Sequence, residues 1–139
     1  MATFSFELVS PERLVYSGQV TEVIVPGTEG EFGVMAGHAP FISTISAGIL
    51  TIKGDGAEKR LFVRGGFAEA NPQGLTVLAE QATPVESFDR AALQQLIKDA
   101  QEDVSDARTD EGRQKAERNL ADLQQVAMIL DLNAGQTAH

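Results

Sequence analysis

An abrupt change in residue usage near Pro84 and Ser87 constrains this chain more than any other feature. All five prolines and 11 of the 13 glycines precede it, and only Gly112 and Gly135 follow. Glycine and proline punctuate the turns between strands, whereas the Ala, Gln, Leu and Arg that fill the tail favour helix. Two unlike architectures therefore share one chain, a β domain over residues 1–85 and a helical hairpin with a short tail over 86–139.

The first region reads as many short strands. Phe4, Phe6 and Leu8 alternate with Thr3, Ser5 and Glu7, which places one apolar edge on a two-residue period. Leu14–Tyr16, Val20, Glu22–Val25, Gly48–Lys53, Glu58–Val63, Phe67–Ala70 and Leu75–Ala79 continue the pattern. Gly54-Asp55-Gly56 and Asn71-Pro72-Gln73-Gly74 have the composition of hairpin turns. No helical stretch separates these strands, so parallel crossover units are excluded and an antiparallel sandwich or barrel is expected. The glycine-rich run Gly27–Gly33 reads as a loop; it lacks the Gly-Lys-Ser/Thr ending of a phosphate loop, and Glu29 and Glu31 repel phosphate.

Beyond the boundary the period changes. Leu93, Ile97, Ala100, Val104 and Ala107 recur at steps of four and three, as do Ala116, Leu120, Leu123, Ala127 and Leu130. Each series makes one apolar helix face, over 88–108 and 113–132, with Thr109–Gly112 as the break that turns the second helix antiparallel to the first. Ser87 is placed to cap the first helix, with Asp89 near its positive end, and Asn133 or Gly135 to close the second. Four of the stripe positions are Ala, which buries little area, so the stripes call for a partner surface.

Composition removes whole classes of function. The net charge of −9 opposes binding to nucleic acid or directly to anionic lipid. No apolar run is long enough for a membrane span, and Met1–Phe6 has no basic segment leading into an apolar stretch, which predicts no secretory signal. Without Cys there is no disulfide framework and no thiolate metal site, which fits an intracellular compartment. His38 is the only internal histidine, and no Gly-x-Ser-x-Gly elbow exists for a hydrolytic triad. No catalytic, metal or cofactor residue is expected. The candidates that remain are interface residues: Glu31 beside Phe32, His38, and Arg64 beside Gly65-Gly66.

The string from Pro26 to Pro40, Pro-Gly-Thr-Glu-Gly-Glu-Phe-Gly-Val-Met-Ala-Gly-His-Ala-Pro, closely resembles the signature of the epsilon subunit family of bacterial F-type ATP synthases. Val15–Gly18, Phe62–Phe67, Val77–Ala82 and the helical hairpin led by Asp89 extend the resemblance over nearly the whole chain. It implies a ten-stranded β-sandwich followed by a helix-loop-helix, in a non-catalytic rotor subunit of the central stalk. It implies the gamma subunit and the c-subunit ring as partners, with Glu31 toward the polar loops of the ring and His38 in the region facing gamma. It further implies indirect membrane association at the cytoplasmic face of the inner membrane. An extended hairpin would reach the alpha and beta subunits and inhibit ATP hydrolysis.

Some relatives of that kind bind ATP through Ile/Leu-Asp-x-x-Arg-Ala at the start of the first helix. Here the run is Phe88-Asp89-Arg90-Ala91-Ala92-Leu93, with Ala92 at the Arg position, so no tight ATP site is expected. Arg113, Lys115 and Arg118 crowd the start of the second helix and Asp122 and Asp131 occupy its latter half, which favours structural coupling over strong inhibition. The competing reading is a generic sandwich-and-hairpin adaptor for unrelated proteins.

Overall fold

A computed structural model describes the backbone of residues 2–54 and 58–137, and the side chains of these up to Leu130. The chain divides into two compact units, Met1–Val85 and Glu86–His139.

Among the described residues the first unit contains eight strands: β1 (Phe4–Val9), β2 (Leu14–Val20), β3 (Glu22–Gly27), β4 (Gly30–Met35), β5 (Phe41–Thr44), β6 (Gly48–Lys53), β7 (Lys59–Asn71) and β8 (Gly74–Pro84). They hydrogen-bond in the order β2-β1-β8-β7-β6-β3-β4, with β5 also on β7. Every pair is antiparallel except β1 and β8, which run parallel from Ser5 opposite Gly74 to Val9 opposite Leu78.

This path makes two layers because β7 and β8 turn together. Residues 59–63 of β7 pair with β6, and residues 67–70 pair with β5. Between them Gly65 and Gly66 have φ of 72° and 99°, which L side chains rarely adopt, and a Cβ on Gly66 would collide with the Leu78 carbonyl. The first layer is β2, β1, the start of β8, the end of β7 and β5; the second holds the other halves of β7 and β8 with β6, β3 and β4. The expected ten strands are thus eight continuous ones among the described residues, two of which bend at a corner and serve both layers.

A single core lies between the layers. Phe4, Phe6 and Leu8 of β1 meet Val23 and Val25 of β3, Leu50 and Ile52 of β6, and Leu75 and Val77 of β8, all buried. The alternation in β1 is the one read from sequence, since only the Phe-Phe-Leu side faces inward. Each such side chain contributes about 1.5–3 kcal/mol on burial.

One local expectation needs correction. Gly27–Gly33 is a hairpin rather than a loop: β4 starts at Gly30 and pairs Glu31 with Pro26 and Phe32 with Val25. Glycine and acid content hid the strand, whose apolar residues are only Phe32, Val34 and Met35. β5 had no strong signal either, being four residues long. The Asn71–Gly74 turn forms, with Asn71 Oδ1 accepting from the amides of Gln73 at 2.8 Å and Gly74 at 3.1 Å. Of the Gly54-Asp55-Gly56 turn, Asp55 and Gly56 lie outside the described residues.

The second unit is a hairpin of α1 (Arg90–Asp106) and α2 (Asp110–Thr137), after one 3-10 turn at Val85–Ser87. Asp89, not Ser87, caps α1: its side chain accepts from Ala91 N at 2.9 Å. The break is shorter than expected, because Thr109 Oγ1 accepts from Gly112 N at 3.0 Å and draws Gly112 into the first turn of α2. Neither Asn133 nor Gly135 ends α2, which runs past both. Leu93 and Ala100 are buried on α1, and Leu123 and Leu130 on α2, all within the stripes read from sequence, with Val126 buried beside them.

Candidate functional site

The outer face of the first layer carries a row that no stretch of sequence displays. Leu14 of β2 lies opposite Val9 of β1, Val9 opposite Leu78 of β8, and Leu78 opposite Phe67 of β7. Strand alternation puts all four on the side away from the core. Leu14 is 56% exposed, Phe67 38% and Leu78 37%. Ile42 of β5, diagonal to Phe67, is 72% exposed. Along the chain these residues are scattered over five strands, and only the strand register joins them into one apolar patch.

Glu31 stands at the opposite kind of surface. The β3–β4 turn lifts Glu29 and Glu31 over a shallow hollow floored by Phe32 and Phe41. Those rings meet edge to face, 5.3 Å between centroids and 87° between planes. Two carboxylates above an aromatic floor favour a cationic side chain from a partner.

His38 sits in the connection from β4 to β5. Its Nδ1 is 2.9 Å from the Met35 carbonyl and its Nε2 is 3.0 Å from the Asn71 carbonyl, while its ring packs edge-on against Phe4 at 5.5 Å. The imidazole thus ties the connection to the β7–β8 turn. Both nitrogens face main-chain carbonyls rather than a nucleophile and an acid, which does not make the arrangement of a hydrolytic triad. No His, Cys, Asp and Glu grouping among the described residues is arranged to hold a metal.

Arg64 lies at the corner, opposite Gln81 and just before Gly65. Its Nε is buried and has no hydrogen-bond partner. The structure does not bring Glu31, His38 and Arg64 into one cluster. Glu31 is at a hairpin tip, His38 in a connection and Arg64 at the corner.

In the hairpin, Arg90 Nη2 donates to the Leu130 carbonyl at 3.1 Å, which ties the start of α1 to α2. Ala92 occupies the first turn of α1, where the nucleotide motif would place its guanidinium. Asp122 of α2 is partly buried, and desolvation raises its carboxyl above the ordinary 3.8 despite the opposing pull of Arg118. No helix among the described residues is long and apolar enough to cross a membrane.

Comparison with known proteins accounts for both units. Residues 3–85 match the model of the beta-sandwich domain of the ATP synthase Delta/Epsilon chain, and residues 89–139 match that of the C-terminal domain of the ATP synthase epsilon chain. The ATP synthase epsilon chain of Parvibaculum lavamentivorans is 51% identical over 123 residues, 88% of this chain and 93% of that one. That of Mesorhizobium japonicum is 52% identical over 121 residues, 86% and 90% of the two chains. A chain in the cryo-EM structure of the Euglena gracilis mitochondrial ATP synthase, comprising OSCP, F1 and c-ring, shares the fold with a TM-score of 0.74 at 22% identity. The superposition covers 94% of this chain and 82% of that one. The two domain matches, in this order on one chain, and the identity over nine-tenths of its relatives' length place this chain in the ATP synthase epsilon chain family.

Proposed function

We propose that this chain is a non-catalytic rotor subunit that couples the gamma subunit to the c-subunit ring of a proton-translocating ATP synthase, at the cytoplasmic face of the inner membrane. The observation that carries the reading is the apolar row. A line of Leu14, Val9, Leu78 and Phe67 on the outer face of four paired strands is a docking face for a protein, since it lies on rigid strands and is too apolar to remain solvated without cost. Gamma is assigned to this row. The c ring is assigned to the acidic tip, where Glu31 meets a basic or polar loop. His38 supports the row side by holding the β4–β5 connection, and Arg64 borders it at the corner.

The hairpin contributes coupling rather than strong inhibition. The bases on α2, Arg113, Lys115 and Arg118, all lie in its first nine residues, so the rest of an extended α2, Asp122 included, would offer alpha and beta no Lys or Arg. Contact with those subunits through an extended hairpin is accordingly weak.

The test is equilibrium binding of the full chain to isolated gamma. Replacing Phe67→Glu together with Leu78→Glu should weaken it by about 100-fold, the loss expected for central interface anchors. Unchanged affinity would mean that gamma docks on another face and would overturn the assignment of the row. In a reconstituted catalytic complex, ending the chain after Ser87 should raise ATPase activity less than about twofold; a rise of tenfold or more, about 1.4 kcal/mol in the barrier, would establish inhibition instead.

A further inference from the structure

The apolar row and the acidic tip lie on different layers of the sandwich, and a subunit that carries torque between two partners needs them held at a fixed angle. The tip is the end of a two-stranded hairpin, a soft element when isolated. Besides the β4–β5 connection and the Phe32–Phe41 ring contact, one short segment ties it to the other layer through hydrogen bonds. Thr44, Ile45 and Ser46 leave β5 and cross to β6, and nearly every polar group they offer is spent on the way. Toward the row, Ile45 N donates to the Gly66 carbonyl at 3.0 Å, beside Phe67. Toward the tip, Ser46 N and Ser46 Oγ both donate to the Pro26 carbonyl, at 2.9 and 3.1 Å. Gly27 and Ile45 form an isolated bridge, Thr28 N donates to the Thr44 carbonyl at 3.1 Å, and the hydroxyls of Thr28 and Thr44 are 2.6 Å apart. The Ile45 side chain is at the same time anchored in the core, 4% exposed.

We propose that Thr44–Ser46 is a strap that sets the orientation of the acidic tip relative to the apolar row, with Thr28, Thr44 and Ser46 as its positioning residues. Their hydroxyls bond to each other and to the Pro26 carbonyl. They act by removing the hinge freedom of the turn that presents Glu29 and Glu31. The main-chain bonds form the strap, and the hydroxyls fix the last residue before the carboxylates. This rests on the docking of gamma on the row and of the ring at the tip.

The experiment uses the full-length protein in complex with gamma and measures its affinity for purified c ring, beside the affinity for gamma alone and the thermal midpoint. Replacing Thr28→Val and Ser46→Ala together removes the side-chain bonds at the tip end and keeps volume close to that of the natural pair. Ring affinity should fall about fivefold, the size expected for two solvent-accessible hydrogen bonds. Gamma affinity should stay within about twofold. Thr28→Ser, which keeps the hydroxyl, should hold the natural ring affinity. Equal losses of ring and gamma affinity with a lowered midpoint would reduce the strap to general stabilisation and overturn the proposal. So would unchanged ring affinity in the double variant when Glu31→Gln weakens it. If Glu31→Gln also leaves ring affinity unchanged, the docking of the tip is itself wrong, and the strap falls with it.

Discussion

The sandwich and the hairpin spend their sequences in opposite ways. In the sandwich, short strands with few apolar residues each deliver them to one shared core, so Phe6, Leu50, Val63 and Val77 support one another from both layers. In the hairpin, α1 buries only Leu93 and Ala100, and the ends are set by polar devices: the Asp89 cap, the Thr109 cap and the Arg90 bond to Leu130. The sandwich is thus specified by non-local pairing and the hairpin by local rules. A protein that must present two surfaces at a constant angle gains from the first; an element whose packing is to remain replaceable gains from the second.

That contrast can be broken most directly at the corner. Gly66→Ala places a Cβ against the Leu78 carbonyl at a φ that alanine avoids, where β7 and β8 must turn together. Denaturant unfolding of the full-length protein should show a loss of about 3 kcal/mol or more. A loss under about 1 kcal/mol would mean that the corner relaxes freely and that the sandwich is less tightly determined than its core implies.

A smaller effect is expected at the hairpin. Asp89→Ala removes the cap of α1 and should cost about 1 kcal/mol, read as lowered helical circular dichroism with the β signal unchanged. Simultaneous loss of both signals would show that the two units unfold as one and would erase the distinction drawn between them.

The smallest and most informative change concerns Asp122. The folded protein holds this proton to higher pH than the unfolded one does, because partial burial disfavours the charged carboxylate. Stability therefore declines as pH rises from the ordinary 3.8 through the raised folded value, and is level above it. Asp122→Asn should abolish this decline. The same slope persisting in the variant would assign it to another carboxylate. The effect is limited by the exposure that the side chain retains.

Much of this architecture was readable in the sequence because periodicity is a local property. The β1 alternation, the two helical stripes and the Asn71–Gly74 turn need only neighbouring residues to be recognised. Gly30–Met35 was not readable as a strand, since its pairing with Glu22–Gly27 compensates for a glycine-rich sequence that is weak on its own. The candidate site divided along the same line. Glu31 and His38 stood out as unusual residues within a distinctive string. Leu14, Val9, Leu78 and Phe67 did not, because their adjacency exists only after β1 has been inserted between β2 and β8. Thr28 and Ser46 are ordinary turn residues until the crossover brings them to Thr44 and Pro26.

The insertion of β1 sets an order of events during synthesis. Ser5 has no parallel partner until Gly74 has been made, and Val9 waits for Leu78. The first strand leaves the ribosome early and can hold β2, but its other edge stays open for most of translation, exposed to mispairing with any free strand. Closure of that edge completes the apolar row, because Leu78 arrives with β8 and fills the gap between Val9 and Phe67. The proposed docking face is therefore incomplete until β8 has been made, so a nascent polypeptide cannot present it before Leu78 has joined the sheet.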